Sequence, residues 1–462
     1  MLSQKIIAEL TEALGKENVL TEKEELACYS FDATADMPQA MPDVFVTPTC
    51  TEEVQKVVEI ASKHRIPVYT RGSGTNLSGG TIPLKNGIVM GMVRMDKILE
   101  VDAENLTAVV QPGVIIQDLN DEVGKHGLIY PPDPGTVTTA TMGGSVAECS
   151  GGLRGLKYGV TKDYVMGLEV VLANGKVMRC GGKTVKNVTA YDMVKLFVGS
   201  EGTLGIITEI IVKLIPAPET RKSFLASFKS LEDAAGSITG IIASKVIPAT
   251  LEIMDNATIK TVENYAHVGL PTNAEAILLI EVDGLPGVVA KEAQAVEKVC
   301  RENNGQLKVA ETDQERDNLW AARRAALPAL AQVSPTTVLE DATVPRSEIP
   351  KMLKALKEIA GKYDLKIGTF GHAGDGNLHP TILTDERNKE EMARVHRAVD
   401  EIFDAALQLG GTLSGEHGIG MAKMKYLKNE FKEAGVEALR SVKKALDPEN
   451  ILNPGKVIDL EG

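Results

Sequence analysis

Two histidines late in the chain flank a short polar stretch, residues 371–379, with the sequence GHAGDGNLH. Their separation of seven residues (379 − 372) would put them on opposite faces of one continuous strand. Residues 374–377 (GDGN), however, have the composition of a turn, which lets the two arms fold back on each other. The spacing therefore predicts that the imidazoles of His372 and His379 converge.

A second polar stretch, residues 415–418 (GEHG), offers a carboxylate and a third imidazole on a glycine-flanked loop. Two histidines and one carboxylate form the usual ligand set of open divalent sites for zinc, iron or manganese. Spacing alone leaves an alternative open, in which these are buried, hydrogen-bonded histidines on unrelated loops.

Residues 71–80 (RGSGTNLSGG) directly follow a predicted strand and are rich in glycine. Glycines let several backbone N–H groups point into one concavity, which suits a pyrophosphate. A Rossmann fingerprint is excluded because Leu77 stands at the third glycine position and a strand is predicted next, where that motif has a helix. A P-loop is excluded because no Gly-Lys-Ser/Thr occurs here. Taken alone, the segment could equally be a surface turn.

Two further glycine-rich stretches follow in the same half of the chain. One runs from PPDPG (131–135) to TMGGSVAECSGG (141–152), and the other is GSEGTLGII (199–207) at the start of a predicted strand. Three such stretches exceed what tight turns require, and they favour a site where backbone approaches a ligand.

These segments resemble the FAD-binding domain of the vanillyl-alcohol-oxidase/p-cresol-methylhydroxylase family, in particular its glycolate oxidase D-subunit and FAD-linked D-lactate dehydrogenase subgroup. The resemblance covers nearly the whole chain. It implies that the FAD pyrophosphate is cradled by Arg71, Gly72, Ser73, Gly74, Thr75 and Asn76. It implies that the rest of the cofactor is lined by Pro132, Asp133, Gly143, Gly144, Ser150, Gly151, Gly202 and Ile207, with Asn453 near the isoalloxazine. Since the first segment lacks the histidine that attaches FAD covalently in some relatives, we expect noncovalent FAD.

The same resemblance assigns roles to the polar residues of the second half. It implies that His372, His379 and Glu416 bind a divalent metal and that His417 is the catalytic base. Arg323, three residues after Trp320, is expected to bind the substrate carboxylate.

The position one helical turn after Arg323 distinguishes substrates within the subgroup. Relatives that act on dicarboxylates have a hydroxyl residue there, whereas this chain has Leu327, which counts against a second substrate carboxylate.

The resemblance implies FAD-dependent oxidation of a short D-2-hydroxy acid, D-lactate or glycolate, to the 2-oxo acid with help from the metal. No iron–sulfur cysteine motif occurs, so the electrons must pass to a separate acceptor such as a quinone, an iron–sulfur subunit or an electron-transfer flavoprotein. Two alternatives stay open: a non-catalytic electron-transfer flavoprotein subunit of a larger complex, and an oxidase that uses O₂.

The residues above must be positioned by a mixture of predicted strands and long helical patterns, and this mixture indicates the α+β class. We expect a two-subdomain FAD-binding domain of the p-cresol-methylhydroxylase type at 1–217, an α+β substrate (cap) domain with the metal site at 218–446, and a C-terminal segment at 447–462 that returns to the flavin. Residues 51–65 have an apolar helical face, residues 168–179 form a hairpin pattern around Asn174-Gly175, and helical patterns occupy 231–243, 289–303, 348–362 and 388–409.

Composition limits the partners and the cellular location that can be expected for the protein. The net charge of −13 argues against nucleic acid as a partner. Five scattered cysteines without a C-x-x-C pair favour reduced thiols in the cytoplasm. No apolar run approaches the ~18 residues of a transmembrane helix, so any membrane association is expected to be peripheral, through a partner. The sequence leaves open whether the chain forms a homodimer.

Overall fold

The computed structural model describes residues 2–460, which form two units. The first unit contains residues 2–150, 160–217 and 416–460, and the second contains residues 151–159 and 218–415. The chain thus leaves the first unit twice and returns to it twice.

The helices and strands follow one another in mixed order. Up to residue 150 they are α1 (Gln4–Leu14), β1 (Val19–Leu20), α2 (Lys23–Ala27), β2 (Val44–Val46), α3 (Thr51–His64), β3 (Val68–Arg71), β4 (Ile88–Gly91), β5 (Ile98–Asp102), β6 (Thr107–Val110), α4 (Ile116–Gly124), β7 (Leu128–Ile129) and α5 (Met142–Glu148). Then come α6 (Gly155–Tyr158), α7 (Thr161–Tyr164), β8 (Val165–Val171), β9 (Val177–Gly181), α8 (Met193–Phe197), β10 (Ile206–Lys213) and β11 (Ile215–Pro216).

The remaining elements begin at residue 220. They are β12 (Thr220–Phe228), α9 (Leu231–Ala243), β13 (Thr250–Asp255), α10 (Asn256–Ala266), β14 (Ala276–Gly284), α11 (Pro286–Glu302), β15 (Gln306–Val309), α12 (Asp313–Arg324), α13 (Ala326–Ala331), β16 (Thr336–Leu339), β17 (Ala342–Thr343), α14 (Ile349–Tyr363), β18 (Lys366–His372), β19 (Asn377–Thr384), α15 (Lys389–Gln408) and α16 (Leu427–Leu446).

The first unit contains two main sheets. A four-stranded sheet has the order β1-β2-β4-β3, in which β2, β4 and β3 are parallel. A five-stranded antiparallel sheet has the order β5-β6-β10-β8-β9, and β11 pairs with β7. These two sheets agree with the expected two-subdomain arrangement.

Each sheet of the first unit has its own hydrophobic core. The predicted apolar face of α3 packs on the four-stranded sheet through Val54, Val57, Val58 and Ala61, which are fully buried. The core of the five-stranded sheet contains residues from α4, α5 and α8, including Phe197. Burial of these faces stabilises each helix by about 1.5–3 kcal/mol per fully buried large side chain.

The second unit is built on one eight-stranded antiparallel sheet. Its order is β15-β12-β14-β13-β18-β19-β16, and β17 also pairs with β19. Residues of α10, α12 and α13 pack with residues of the sheet in one apolar cluster that includes Met254, Phe370 and Leu330. Helices and sheet are therefore mixed throughout the chain, which confirms the α+β class.

Long periodic elements were predictable within a few residues. The hairpin around Asn174-Gly175 joins β8 to β9, with Val171 opposite Val177. The four helical patterns of the second half correspond to α9, α11, α14 and α15. The turn at residues 374–377 joins β18 to β19, as its composition indicates.

The structure divides the chain differently from the expected limits after residue 415. Residues 416–446 belong to the first unit together with the C-terminal segment, and the short stretch 151–159 belongs to the second. Backbone N–H groups of Ile419 and Gly420 donate to the carboxylate of Glu201, at 2.7 Å each, and Met421 N donates to Ser78 O. These bonds hold residues 419–421 to the glycine-rich segments of the first unit.

Among residues 2–460, none of the helices has both the length and the apolar character needed to cross a membrane.

Candidate functional site

The three glycine-rich segments of the first unit lie side by side. Gly199 N donates to Val146 O at 2.9 Å, and Glu201 N donates to Ala147 O at 2.8 Å, which joins the third segment to the second. A Cβ atom at Gly72 would overlap the hydroxyl of Thr141, so the first segment also touches the second. We call the three segments, residues 71–80, 141–150 and 199–205, the glycine cradle.

A buried carboxylate organises the first segment of the cradle. The Asp32 side chain accepts hydrogen bonds from Asn76 Nδ2 at 2.8 Å and from the backbone and hydroxyl of Thr81. Arg71 turns inward and donates through Nη1 to Phe31 O at 2.7 Å and to Thr81 Oγ1 at 3.0 Å. The side chains of Arg71 and Asn76 therefore brace the loop, and its backbone is the part that can bind a ligand.

The C-terminal return ties the cradle together. Asn453 Nδ2 donates to Gly80 O at 3.0 Å and to Glu201 O at 2.7 Å, which links the first and third segments. Its backbone N–H donates to Val68 O in β3. The buried ammonium group of Lys456 donates to Gly79 O at 2.6 Å. Asn453 thus lies in the cradle, and its position near the isoalloxazine stays a prediction.

Several buried polar atoms of the cradle suit a polar ligand. Among the described residues, Ser78 Oγ, Glu148 Oε2 and Asn453 Oδ1 have no hydrogen-bond partner, although buried polar atoms nearly always have one. At Gly202 a Cβ atom would meet nothing nearer than 3.8 Å, so the backbone there is open. Orphaned polar atoms beside open glycine backbone fit a large polar cofactor such as FAD.

Other residues expected to line the cofactor occupy varied positions. Pro132 and Asp133 are buried, and Gly143 N donates to Pro112 O at 2.7 Å. Gly144 N donates to Thr141 Oγ1, which caps α5. Ser150 ends the second segment of the cradle, whereas Gly151 begins the stretch assigned to the second unit. Ile207 packs in the core of the five-stranded sheet.

Glu416 and His417 lie on the loop that follows the second unit and belong to the first. Both are half-buried. The next residue, Gly418, is so close to the cradle that a Cβ atom there would overlap the Glu148 carboxyl. The Glu201 hydrogen bonds to Ile419 and Gly420 hold this loop in place. The candidate base His417 is therefore one residue from the cradle.

Two acidic side chains beside this loop have unusual protonation. Burial raises the pKa of Glu148 well above its usual range, and the charge of Glu201 raises it further. Burial also raises the pKa of Glu201, although the two backbone donors lower it in part. Of the two, Glu148 has the stronger shift towards the neutral acid, whereas the backbone donors and the charges of Lys423 and Lys456 favour the charged form of Glu201.

The second unit contains a separate buried polar cluster. Phe370 pairs with His379 across the β18–β19 hairpin, and His372 lies two residues further along β18, on the same face of the sheet. The rings of His372 and His379 meet edge to face, with centroids 5.1 Å apart, and both side chains are buried. The hairpin thus brings the two histidines together, as the turn composition predicts.

Arg323 belongs to the same cluster. It lies in the last turn of α12, a helix whose first turn is capped by Thr312. Its guanidinium Cζ is 4.8 Å from the centre of the Phe370 ring, and the side chain is only 6% exposed. Arg324, by contrast, is exposed, and Leu327 packs against the apolar cluster of this unit. A buried guanidinium is a functional candidate because arginine is almost never fully buried without a specific partner.

Two carboxylates in the cluster were missed by the sequence reasoning. Glu252, on β13, contacts both Arg323 and His372. Asp341 accepts from Ser414 Oγ at 2.6 Å and Gly415 N at 2.8 Å, and its Oδ1 lies 3.9 Å from His379 Nδ1. One signal was available for Glu252: a single acidic residue at a central position of an apolar strand must have a buried partner.

The histidine pair fits a divalent metal on chemical grounds. The pKa of Glu252 is raised by burial, but the charges and hydrogen bonds of His372 and Arg323 more than offset this and hold it below its usual value. Glu252 accepts a hydrogen bond from His372 Nδ1. In a neutral imidazole the lone pair is then on Nε2. A carboxylate behind an imidazole is the usual arrangement around metal-binding histidines.

Comparisons with known proteins agree with this architecture. The chain is 52% identical over 458 residues to the glycolate oxidase subunit GlcD of Bacillus subtilis (strain 168), which covers 99% of this chain and 97% of that protein. It is 37% identical over 438 residues to the D-lactate dehydrogenase of Archaeoglobus fulgidus, covering 93% and 95%. Among solved structures, p-cresol methylhydroxylase with substrate bound has a TM-score of 0.82 at 20% identity, covering 100% of this chain and 98% of that one, which shows the shared fold.

The family matches cover most of the chain. Residues 42–181 match the FAD binding domain family, and residues 217–457 match the family of FAD linked oxidases, C-terminal domain. The first match contains the first two segments of the cradle, and the second contains the histidine hairpin and Arg323. The chain therefore belongs to the FAD-linked oxidases and is an oxidoreductase.

Proposed function

We propose that this protein is an FAD-dependent dehydrogenase that oxidises a short D-2-hydroxy acid, D-lactate or glycolate, to the 2-oxo acid. The observation that carries the proposal is a buried guanidinium, Arg323, in one cluster with the His372–His379 pair. An arginine and a metal-binding histidine pair are the groups needed to hold a carboxylate and an adjacent hydroxyl. The names of the related glycolate oxidase subunit and D-lactate dehydrogenase support this substrate class.

FAD is assigned to the glycine cradle of the first unit and the substrate to the second unit. When bound, FAD supplies the acceptor for two electrons and the α-hydrogen of the substrate. The chain's own contribution is the backbone of residues 72–76, the side-chain atoms of Ser78 and Asn453, and the open backbone at Gly202. The cofactor is expected to be noncovalent because residues 71–80 contain no histidine.

His372, His379 and Glu416 are the residues that would hold a divalent ion. Such an ion, zinc, iron or manganese, would lower the pKa of a hydroxyl group bound to it. Arg323 would bind the substrate carboxylate through its two Nη groups, since its Nε is already engaged by Glu252. His417 would take the hydroxyl proton as general base.

The residue one helical turn after Arg323 bears on whether the substrate has one carboxylate or two. Leu327 is apolar and packs against the hydrophobic cluster of the second unit. A second carboxylate on the substrate would meet a leucine where a hydroxyl donor is needed, and a buried charge without a partner is costly. Monocarboxylates should therefore be preferred to dicarboxylates.

Electrons must leave the protein through a partner. The related GlcD proteins are named as subunits, which supports an acceptor protein or a quinone rather than O₂. All five cysteines are free, which supports a cytoplasmic location with any membrane contact made through that partner.

The test is anaerobic mixing of the purified yellow protein with D-lactate, L-lactate, glycolate, D-malate and D-2-hydroxyglutarate. D-lactate or glycolate should bleach the flavin, and the two dicarboxylates should bleach it much more slowly. Admitting air to the reduced protein then separates a dehydrogenase, which reoxidises slowly, from an oxidase. If dithionite bleaches the flavin but no monocarboxylate does, the proposed substrate class is wrong.

A further inference from the structure

Glu252 and Asp341 are the two most enclosed charged groups of the second unit's polar cluster. Glu252 lies in the middle of β13, between neighbouring strands β14 and β18, and its side chain is 1% exposed. Its Oε2 accepts from Arg323 Nε at 2.6 Å, and its Oε1 is 2.7 Å from His372 Nδ1. One carboxylate therefore contacts both the candidate substrate-binding arginine and a candidate metal ligand.

The contact with His372 determines which ring nitrogen carries the proton. Glu252 Oε2 is held by the Arg323 guanidinium at 2.6 Å, and a carboxylate paired with a guanidinium accepts through its other oxygen as well, so His372 Nδ1 is the donor at 2.7 Å. In the neutral imidazole the lone pair is then on Nε2, which is the form that binds a metal ion.

The contact with Arg323 determines how the guanidinium is presented. Nε is bound to Glu252, and the aromatic ring of Phe370 supports the guanidinium plane. Within residues 2–460, the contacts of Arg323 leave its two Nη groups without an acceptor. The remaining Nη pair has the fork geometry that binds a carboxylate in a bidentate manner.

We infer that Glu252 is a positioning residue, which fixes the metal-binding tautomer of His372 and the orientation of Arg323 at the same time. This inference rests on the proposed function, because it assigns a purpose to the binding of a short 2-hydroxy acid. The competing explanation is a buried ion pair that only stabilises the fold. Buried ion pairs contribute little net stability compared with apolar packing, so that explanation gives no reason for the histidine contact.

Glu252→Gln separates the two explanations because a glutamine cannot accept hydrogen bonds from both neighbours through its two terminal atoms. If its oxygen accepts from Arg323 Nε, its NH₂ group faces His372 Nδ1, which must then accept. The ring proton moves to Nε2 and the metal-binding lone pair is lost. If the amide is reversed, its NH₂ group faces Arg323 Nε, and two donors oppose each other.

The matched control is Glu169→Gln in the first unit. Glu169 is also a buried strand carboxylate with an arginine partner, Arg179 at 2.6 Å, and it also accepts from Thr51 and Thr208. It contacts no residue of the polar cluster within the described chain. A second variant, Glu252→Asp, keeps the charge and shortens the side chain by one methylene.

The experiment uses the full-length, flavin-containing protein. Zinc and manganese affinities are measured by competition with a chelator, and KM and kcat for D-lactate and glycolate are measured by flavin reduction. Histidine-selective ¹⁵N NMR of the metal-free wild type, with His372 assigned from a His372→Gln spectrum, reports the tautomer without any substitution at Glu252.

The inference predicts Nδ1–H for His372 in the wild type and a loss of metal affinity of about 10–100-fold in Glu252→Gln, with unchanged flavin content. KM should rise in the same variant, Glu252→Asp should lie between it and the wild type, and Glu169→Gln should match the wild type. An Nε2–H tautomer in the wild type, or wild-type metal affinity and KM in Glu252→Gln, would overturn it. If no 2-hydroxy acid reduces the wild-type flavin, the proposed function fails instead, while the tautomer and metal affinity still test Glu252.

Discussion

Gly74 has a backbone φ of +74° in the first segment of the glycine cradle, a conformation that residues with a Cβ atom rarely adopt. A Cβ atom there would also overlap the guanidinium of Arg71, which is buried beneath the loop. The position thus needs glycine because of the protein's own side chain, in addition to any phosphate contact. Gly74→Ala is expected to displace Arg71 and with it the loop backbone.

The expected result for Gly74→Ala is a several-fold loss of bound FAD. The ratio of flavin to protein absorbance after gel filtration measures it. Gly124→Ala is the matched control, since Gly124 ends α4 and a Cβ atom there meets nothing within 4 Å. Full flavin content in Gly74→Ala would show that the loop tolerates the displacement.

His372 and His379 are buried in the second unit, whereas the cradle belongs to the first. Alanine at either histidine should remove metal and lower activity by more than about 100-fold, because the ligand itself is lost. FAD content should not change. His396, which is exposed on α15, provides the control. Stoichiometric metal in both His→Ala variants, measured by elemental analysis, would contradict the assignment.

Among individual site residues, those that lie in one contiguous motif could be predicted from the sequence. The histidine hairpin could be predicted from its spacing, and Arg323 from the resemblance. Glu252 and Asp341 could not, because Glu252 reaches the cluster from β13 and Asp341 from the residue before β17, and only the sheet register brings these segments to the histidine hairpin. Neither could the inward turn of Arg71, which depends on the position of Phe31 and Thr81.

At the scale of elements, Asp255 joins the end of β13 to its neighbours. It caps α10 by accepting from Thr258 N at 2.8 Å, and it accepts from Thr369 N of β18 at 2.8 Å. Burial raises the pKa of Asp255 to about 6 from 3.8. Between pH 3.8 and about 6, the Asp255 carboxyl therefore keeps its proton in the folded protein but has released it in the unfolded chain. The stability linked to this proton is complete below pH 3.8 and is lost as the pH rises through about 6.

The contribution of Asp255 to the pH dependence of stability can be measured by comparing the wild type with Asp255→Asn, whose amide does not titrate. Lowering the pH from about 7.5 to about 5 should raise the unfolding free energy of the wild type relative to the variant by about 1 kcal/mol. Urea unfolding followed by circular dichroism measures this difference. Ser230→Ala removes the cap of α9 without removing an ionisable group, so its effect should not depend on pH. A difference between wild type and Asp255→Asn that stays constant across this range would contradict the assignment.

Elements with a clear hydrophobic period could be predicted, and elements set by tertiary contacts could not. Residues 141–148 contain two adjacent glycines, which disfavour a helix, yet they form α5 because Thr141 caps it and Met142 and Val146 are buried. The return to the first unit at Glu416 also gave no signal, since it depends on the Glu201 carboxylate more than two hundred residues earlier.

At the scale of the whole molecule, the chain divides its chemistry between two units. The first provides glycine backbone and orphaned polar atoms suited to FAD, and the second provides a buried cluster of two histidines, an arginine and two carboxylates. Family membership establishes the flavin-dependent class. The central claim that remains to be tested is that the buried histidine cluster assists the oxidation of the hydroxy acid through a divalent ion.

The most direct test of that claim is the anaerobic flavin reduction of one preparation in three states: as purified, after chelator treatment and gel filtration, and after addition of zinc or manganese. The account predicts that the treated protein stays yellow with its full FAD content, is reduced by D-lactate or glycolate at least about 100-fold more slowly, and recovers its rate when the ion returns. Reduction of demonstrably metal-free protein at the rate of the untreated protein would contradict it.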